Sequence, residues 1–239
     1  MTGRQPSVLD ATRGPRHPVI AIDGPAGAGT STVARRLARR LGFGYVPSGA
    51  VYRAVAWRVA GGASLTATLR DLRVTFADDG DGVRVLVNGV DATPDLYTEA
   101  VSELAAEISQ RPEVRAFADR LQRSAAARGP IVVEGRDAGS AVFPDAEAKF
   151  YLDASLEARA RRRLQDRRGP GGEGDLAAIR LAIAARDEAD RGRPVAPLRR
   201  PPDATYVDSS GLEVDEVVEL MLSHLATREG GAGTCCTTS

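Results

Sequence analysis

The 239-residue chain is short of lysine and cysteine, carries no excess of either charge and has no long apolar run. Each shortage removes a class of function. Lys149 is the only lysine among 32 basic residues, so a lysine missing from any other position has no neighbour of its type to replace it. The two cysteines, Cys235 and Cys236, are adjacent in a Gly/Thr/Ser-rich end, too few and too badly placed for a disulfide framework or a zinc site. Thirty-two basic residues balance 32 acidic ones, so no global field draws in nucleic-acid polymer or a membrane surface. Any anion must be met locally. No stretch approaches the ~20 apolar residues of a bilayer-spanning helix. Residues 1–16 lack the apolar segment of a secretory signal, and a cytoplasmic location is expected.

What is present is an ordinary globular composition, 43% apolar and 27% charged, long enough for one domain with a small insert. Residues 1–18 and 227–239 are polar or small and are expected to be flexible, leaving 19–226 as the folded body. Within it, apolar runs at 19–22, 131–133, 150–152 and 206–207 alternate with helical patterns, which argues for a parallel sheet covered on both faces. Two strand-like stretches, 72–76 and 83–87, the second closed by Asn88-Gly89, break the rhythm and predict a β-rich insert over 65–93. Helices are expected over 96–109 and 112–127, leading back to the sheet. An arginine-rich helix over 156–168, glycines at 169–174 and a helix over 176–191 have the makings of a mobile lid, about 156–176.

The chemistry begins after the first strand. Gly24-Pro25-Ala26-Gly27-Ala28-Gly29-Thr30-Ser31 follows G-x-x-x-x-G-K-[ST] except at the lysine, where Thr30 stands. Glycines let backbone N–H groups surround a phosphate, and the next helix, with Val33, Leu37 and Leu41 on one face, adds its positive dipole end. ATP is therefore expected along Gly24 to Thr32, with the Ser31 hydroxyl on its Mg²⁺ and Thr32 beside it. A bare strand-to-helix turn is the plainer reading, but it rarely needs so many small residues in this order. Losing the lysine's point charge is expected to cost ~10²-fold to 10³-fold in rate, as removing one preorganised donor does.

The run Ile20-Ala21-Ile22-Asp23-Gly24-Pro25-Ala26-Gly27-Ala28-Gly29, followed by Ser48-Gly49-Ala50-Val51-Tyr52-Arg53, resembles the opening of bacterial cytidylate kinases. Val114-Arg115, Glu134-Gly135-Arg136-Asp137-Ala138-Gly139 and Arg186-Asp187-Glu188-Ala189-Asp190-Arg191-Gly192-Arg193 extend the resemblance across the chain. It implies an α/β P-loop NTPase fold, a doubly wound parallel sheet with a lid and an enlarged nucleotide-monophosphate insert, about 65–115. It also implies transfer of the ATP γ-phosphate to CMP or dCMP with Mg²⁺, by a chain expected to be a monomer. On the matching positions, Ser48, Arg115 and Asp137 meet the cytosine ring, Arg53, Arg136 and Arg193 hold the CMP phosphate, and Arg186 and Asp190 lie by the phosphate and sugar. Donor and acceptor chemistry agrees, because cytosine's amine wants a carboxylate or hydroxyl while its N3 and O2 want an arginine. Arg136, Arg186, Arg193 and the lid's Arg162 are the arginines expected at the transferring phosphoryl group.

Plainer readings stand beside these. Arg186 and Asp190 are spaced as a surface ion pair, Arg136-Asp137 could pair within a loop, and Arg159, Arg161, Arg162, Arg163, Arg167 and Arg168 could be a solvated helix face. Tyr52 and Trp57 read as core packing. The chain also departs from the family's pattern. Pro47 replaces an acidic residue, Ala106 a serine and Tyr97 an arginine. Three functions remain open at this point: a (d)CMP kinase, a non-catalytic nucleotide-binding copy, or a kinase for another acceptor.

Overall fold

The computed structural model describes residues 17–78, 82–167 and 175–231. β1 (Val19–Asp23) lies at the centre of a five-stranded, wholly parallel sheet. Its neighbours are β6 (Ile131–Gly135) and β7 (Ala148–Asp153), flanked in turn by β2 (Gly44–Pro47) and β8 (Thr205–Asp208), giving the order β2-β6-β1-β7-β8. Every residue of β1 is buried, and the two-residue period of a strand divides them. Ile20 and Ile22 pack with Val33 and Leu37 of α1 (Thr30–Leu41) and Val217, Val218 and Met221 of α9 (Val214–Gly231). Val19 and Ala21 face Val46, Val133 and Phe143 on the other side. The chain leaves β1 through α1 to reach β2 on one flank and later builds β7 and β8 on the other. Such a reversal of strand order opens a crevice at the carboxyl ends of the strands, here directly above β1.

Between β2 and β6 the chain builds a second sheet. β3 (Val74–Asp78), β4 (Val83–Val87) and β5 (Val90–Asp91) form an antiparallel sheet, and Asn88 and Gly89 join β4 to β5 with φ of 51° and 84°, the two left-handed residues that the Asn-Gly pair predicts. Val85 and Val87 pack against α2 (Ser48–Ala60), α5 (Glu99–Ile108) and α6 (Pro112–Ala126) through Val51, Val55, Val101 and Phe117. The expected β-rich stretch is shorter than the sequence suggested. Residues Leu65–Asp71 form α3, because the Ser64 side chain caps it by accepting from the Ala67 N–H, and the first strand starts at Val74. The expected helix over 96–109 is divided into α4 (Thr93–Leu96) and α5, and β2 and α2 went unpredicted.

α7 (Leu156–Arg167) and α8 (Leu176–Arg191) match their expected helices, while α9 continues to Gly231, past residue 227 where a loose end was expected. The glycine stretch 169–174 expected within the lid, Arg168, the stretch 1–16 and the Cys235-Cys236 end lie outside the described residues, as does the Arg167 side chain. Among the described residues no helix is long and apolar enough to cross a membrane.

Candidate active site

The glycine-rich loop runs from the end of β1 into α1 and needs its glycines for two distinct reasons. A Cβ at Gly24 would stand 2.1 Å from the Leu152 carbonyl oxygen, so β1 can approach β7 there only without a side chain. Gly27 and Gly29 have φ of 79° and 92°, left-handed values that turn the chain until α1 starts at Thr30. Gly27 to Thr32 line a cleft of about 970 Å³. Gly24, Pro25 and Ala26 lie behind it, at the foot of the loop.

At the lysine position, Thr30 is buried, and its hydroxyl donates to Glu134 Oε2 at 3.2 Å. Glu134 sits one residue from the end of β6, and its ladder partner is Pro47 at the end of β2. Thr30 and Pro47 therefore adjoin one buried carboxylate. Lys149 cannot act here, because its ammonium on β7 is bound to the Pro144 carbonyl and to Asp203 at 2.6 Å. Ser31 is exposed in the cleft, with its hydroxyl bonded to Tyr45.

The arginines converge opposite the loop. Arg136 donates to Asp190 Oδ2 at 2.8 Å, and Arg193 reaches Asp190 Oδ1 at 2.5 Å, so this acid is enclosed by two cations from different segments. At 2% exposure Asp190 is not part of a surface pair. Arg186 is partly buried, and its guanidinium is lowered to about 10, by burial first and then by the charges of Arg136, Arg53 and Arg163. Burial and the charges of Arg136 and Arg163 also push Arg53 down, and its Nε is buried without a partner. Cations crowd this way at a cost, and an anion of two or more charges placed among them removes it. Arg53 also lies 5.1 Å from the ring of Tyr97, which is 55% exposed.

Deeper in the cleft, Arg115 and Asp137 form a buried ion pair, with the Arg115 Nη2 donating to Asp137 Oδ2. Burial raises the Asp137 carboxyl and Arg115 pulls it back. Arg136 and Asp137 thus take different partners rather than pairing with each other. Their strand-to-turn segment is fixed by Asp23, whose two carboxylate oxygens accept the Ala138 and Gly139 N–H groups, each at 2.8 Å. Ser48 opens α2 beside them, and Ala106 lines the same wall between Ser102 and Ser109. Tyr52 lines the cleft as well as packing on the insert's core, so the packing reading holds only in part, while Trp57 keeps to the core.

The arginine-rich helix α7 divides its side chains. Arg161 pairs with Glu157 in solvent, as a solvated face would. Arg162 donates to the Ala28 carbonyl at 3.2 Å and to Ser209, beside the loop, and Arg163 reaches into the cleft. Arg159 is buried. Sequence reasoning missed Glu134 and Arg163 as site residues. An acid at the end of a buried strand was the available signal for the first; nothing in the arginine run singled out the second.

A cytidylate kinase family profile matches residues 20–227. The chain belongs to the cytidylate kinase family. It is 44% identical over 223 residues to a cytidylate kinase of Geobacter sulfurreducens, covering 90% of this chain and 96% of that one. It is 42% identical over 218 residues to the Geobacillus kaustophilus cytidylate kinase, covering 88% and 97%. Among solved structures, an uncharacterized protein from Eubacterium ventriosum shares the fold with a TM-score of 0.52 at 12% identity, over 88% of this chain and 99% of that one. This cytidylate kinase family member is therefore a P-loop kinase, with the doubly wound parallel sheet expected from its sequence.

Proposed function

We propose that the cleft passes the γ-phosphate of ATP to CMP or dCMP, giving ADP and CDP or dCDP. The crowding of Arg53, Arg136, Arg163 and Arg186 beside the glycine-rich loop carries this reading, together with membership of the family. In it, backbone N–H groups between Gly27 and Thr32 hold the ATP phosphates, with Gly24, Pro25 and Ala26 shaping the loop from behind, and Arg162 meets the phosphates from the α7 side. Arg53, Arg136 and Arg193 grip the monophosphate in forked contacts, with Arg186 between the two phosphates. Asp190 keeps lone pairs free for a ribose hydroxyl after serving two arginines. Arg115, Asp137 and Ser48 read the cytosine edge. Ser102 and Ser109, which line the cleft on either side of Ala106 in sequence, are the hydroxyls we assign to take over from the serine expected there.

The transfer needs positioning and charge neutralisation rather than a covalent intermediate, and spread arginine charge suits a transition state that distributes its own over several oxygens. Arg163 and Arg186 are the cations we assign to the work of the missing lysine. The oxygen donors at the start of α1, the Ser31 hydroxyl foremost, suit a hard cation. Mg²⁺ entering with ATP would be held by Ser31 and the nucleotide's own phosphates and would neutralise the charge between them. The reading takes the chain to act as a monomer.

The test is ADP release by the purified protein with MgATP and CMP, dCMP, UMP or AMP. Turnover with CMP or dCMP well above that with AMP is expected. Tight CMP binding without turnover would turn the reading into a nucleotide-binding copy that has lost catalysis.

A further inference from the structure

We propose that Arg159 and Asp187 are a positioning pair that straps the phosphate loop to α8 and thereby couples the ATP site to the monophosphate site. The proposal rests on the reading of the cleft given above. Asp187 Oδ1 accepts the Ala26 N–H at 3.1 Å, and Arg159 Nη1 donates to the Ala26 carbonyl at 2.9 Å, so both backbone groups of one loop residue are held from outside the loop. The two side chains bind each other at 2.6 Å, and Arg159 Nε also donates to the Ala154 carbonyl at 2.9 Å. Both are buried, with exposures of 6% and 2%, and neither lines the cleft. They touch no substrate position and act only through Ala26.

The strap matters because the loop has little to hold it from within. Gly27 and Gly29 adopt left-handed φ on either side of Ala28, and the Ala28 N–H reaches only the Pro25 carbonyl, at 3.3 Å. Ala26 is also packed on Ala160 of α7 and on Ile179 and Ile183 of α8. The same helix carries Arg186 and, one turn beyond Asp187, Asp190 with its partners Arg136 and Arg193. A 16-residue helix moves as a rod, so a shift of the monophosphate arginines is delivered to Ala26, and a shift of the loop is delivered back. Binding coupling is reciprocal, and the pair is the contact through which it passes.

The experiment measures the affinity of Mg²⁺ with a non-hydrolysable ATP analogue, of CMP alone, and of CMP with the analogue bound. It compares the native protein, Asp187→Asn, and the double variant Arg159→Met with Asp187→Leu. Native protein is expected to bind CMP at least ~5-fold more tightly with the analogue bound. Asp187→Asn keeps an acceptor for Ala26 but leaves Arg159 without its counter-charge; analogue affinity and kcat are expected to fall ~10-fold or more, with CMP affinity alone within ~2-fold of native. A buried pair replaced on both sides by apolar residues of similar size often keeps or gains stability. The double variant is therefore expected to melt near the native temperature yet bind CMP equally with and without the analogue. A stable double variant with native analogue affinity and native coupling overturns the proposal, as does native protein that binds both ligands without mutual enhancement. Native protein that binds neither ligand would instead overturn the reading of the cleft itself.

Discussion

Thr30 donates its hydroxyl to Glu134 at 3.2 Å, placing a neutral hydrogen bond where the phosphate-loop pattern has a lysine. The ladder partner of Glu134 is Pro47, where the resemblance read from the sequence leads to the expectation of an acid. Relative to that expectation, one positive and one negative charge are missing beside a single buried carboxylate. What remains is electrically consistent, because a second acid at position 47 would crowd Glu134 and a threonine at position 30 could not neutralise it.

Thr30→Lys is expected to raise kcat ~10-fold or more, since a preorganised donor at the transferring group contributes up to ~10²-fold to 10³-fold. Pro47→Asp alone is expected to lower activity by adding a like charge beside Glu134. Combined with Thr30→Lys it is expected to do better than the sum of the single effects, and a double-mutant cycle on kcat/KM measures the coupling. Additive effects would mean that the two losses are independent.

Arg186→Met is expected to stabilise the protein without ligand while weakening CMP. Its guanidinium is lowered to about 10 by burial and neighbouring arginines, so the folded state holds it at a cost throughout the neutral range. A gain of ~1 kcal/mol corresponds to ~2 to 4 °C in Tm for a chain of this size. CMP, which raises the Tm of the native protein, is expected to raise that of the variant much less. Thermal melts with and without CMP decide it.

Asp137→Asn leaves Arg115 buried without its counter-charge, a loss of ~3 to 5 kcal/mol for a broken buried pair. The amide can also no longer serve as a purely accepting group for the cytosine amine. The ratio of kcat/KM for CMP over UMP is expected to fall ~10-fold or more, as it does when a hydrogen-bonding specificity contact is lost. An unchanged ratio would remove Asp137 from base recognition.

Asp23 supplies a pH dependence. Burial raises its carboxyl to about 7, against the pull of the Gly139 and Ala138 N–H groups, so the folded protein keeps this proton after the unfolded chain has lost it near 3.8. The folded state binds more protons between those values, and stability from this group falls as pH rises through about 4 to 7. The slope is at most ~1.4 kcal/mol per pH unit. Asp23→Asn is expected to flatten that slope in denaturant titrations, at a lower overall stability because an amide cannot accept from both N–H groups.

The local features of the site were legible because they depend on a few adjacent residues. Gly24 to Ser31 specify a turn that only small residues can make, Asn88-Gly89 specify a hairpin, and α8 follows from its apolar spacing at Ile179 and Ile183. The four-residue β2 was not legible, since Gly44-Tyr45-Val46-Pro47 has strand character only once β6 lies beside it. α3 was missed because residues 65–93 were read together as one β-rich stretch, while the capping serine at position 64 settles the matter locally.

The sequence by itself determined the family, the glycine-rich loop with Thr30 in it, and most of the arginines that line the cleft, Arg163 excepted. Only the tertiary structure decided their partners. Arg186 and Asp190 are four apart on one helix, yet Asp190 pairs with Arg136 and Arg193, and Arg159, which reads as one of a solvated row, is buried against Asp187. A side chain's neighbours along the chain fix its local geometry, but its charge partner is set by which segments packing brings within about 3 Å, and burial makes that choice binding by raising the cost of leaving either charge alone.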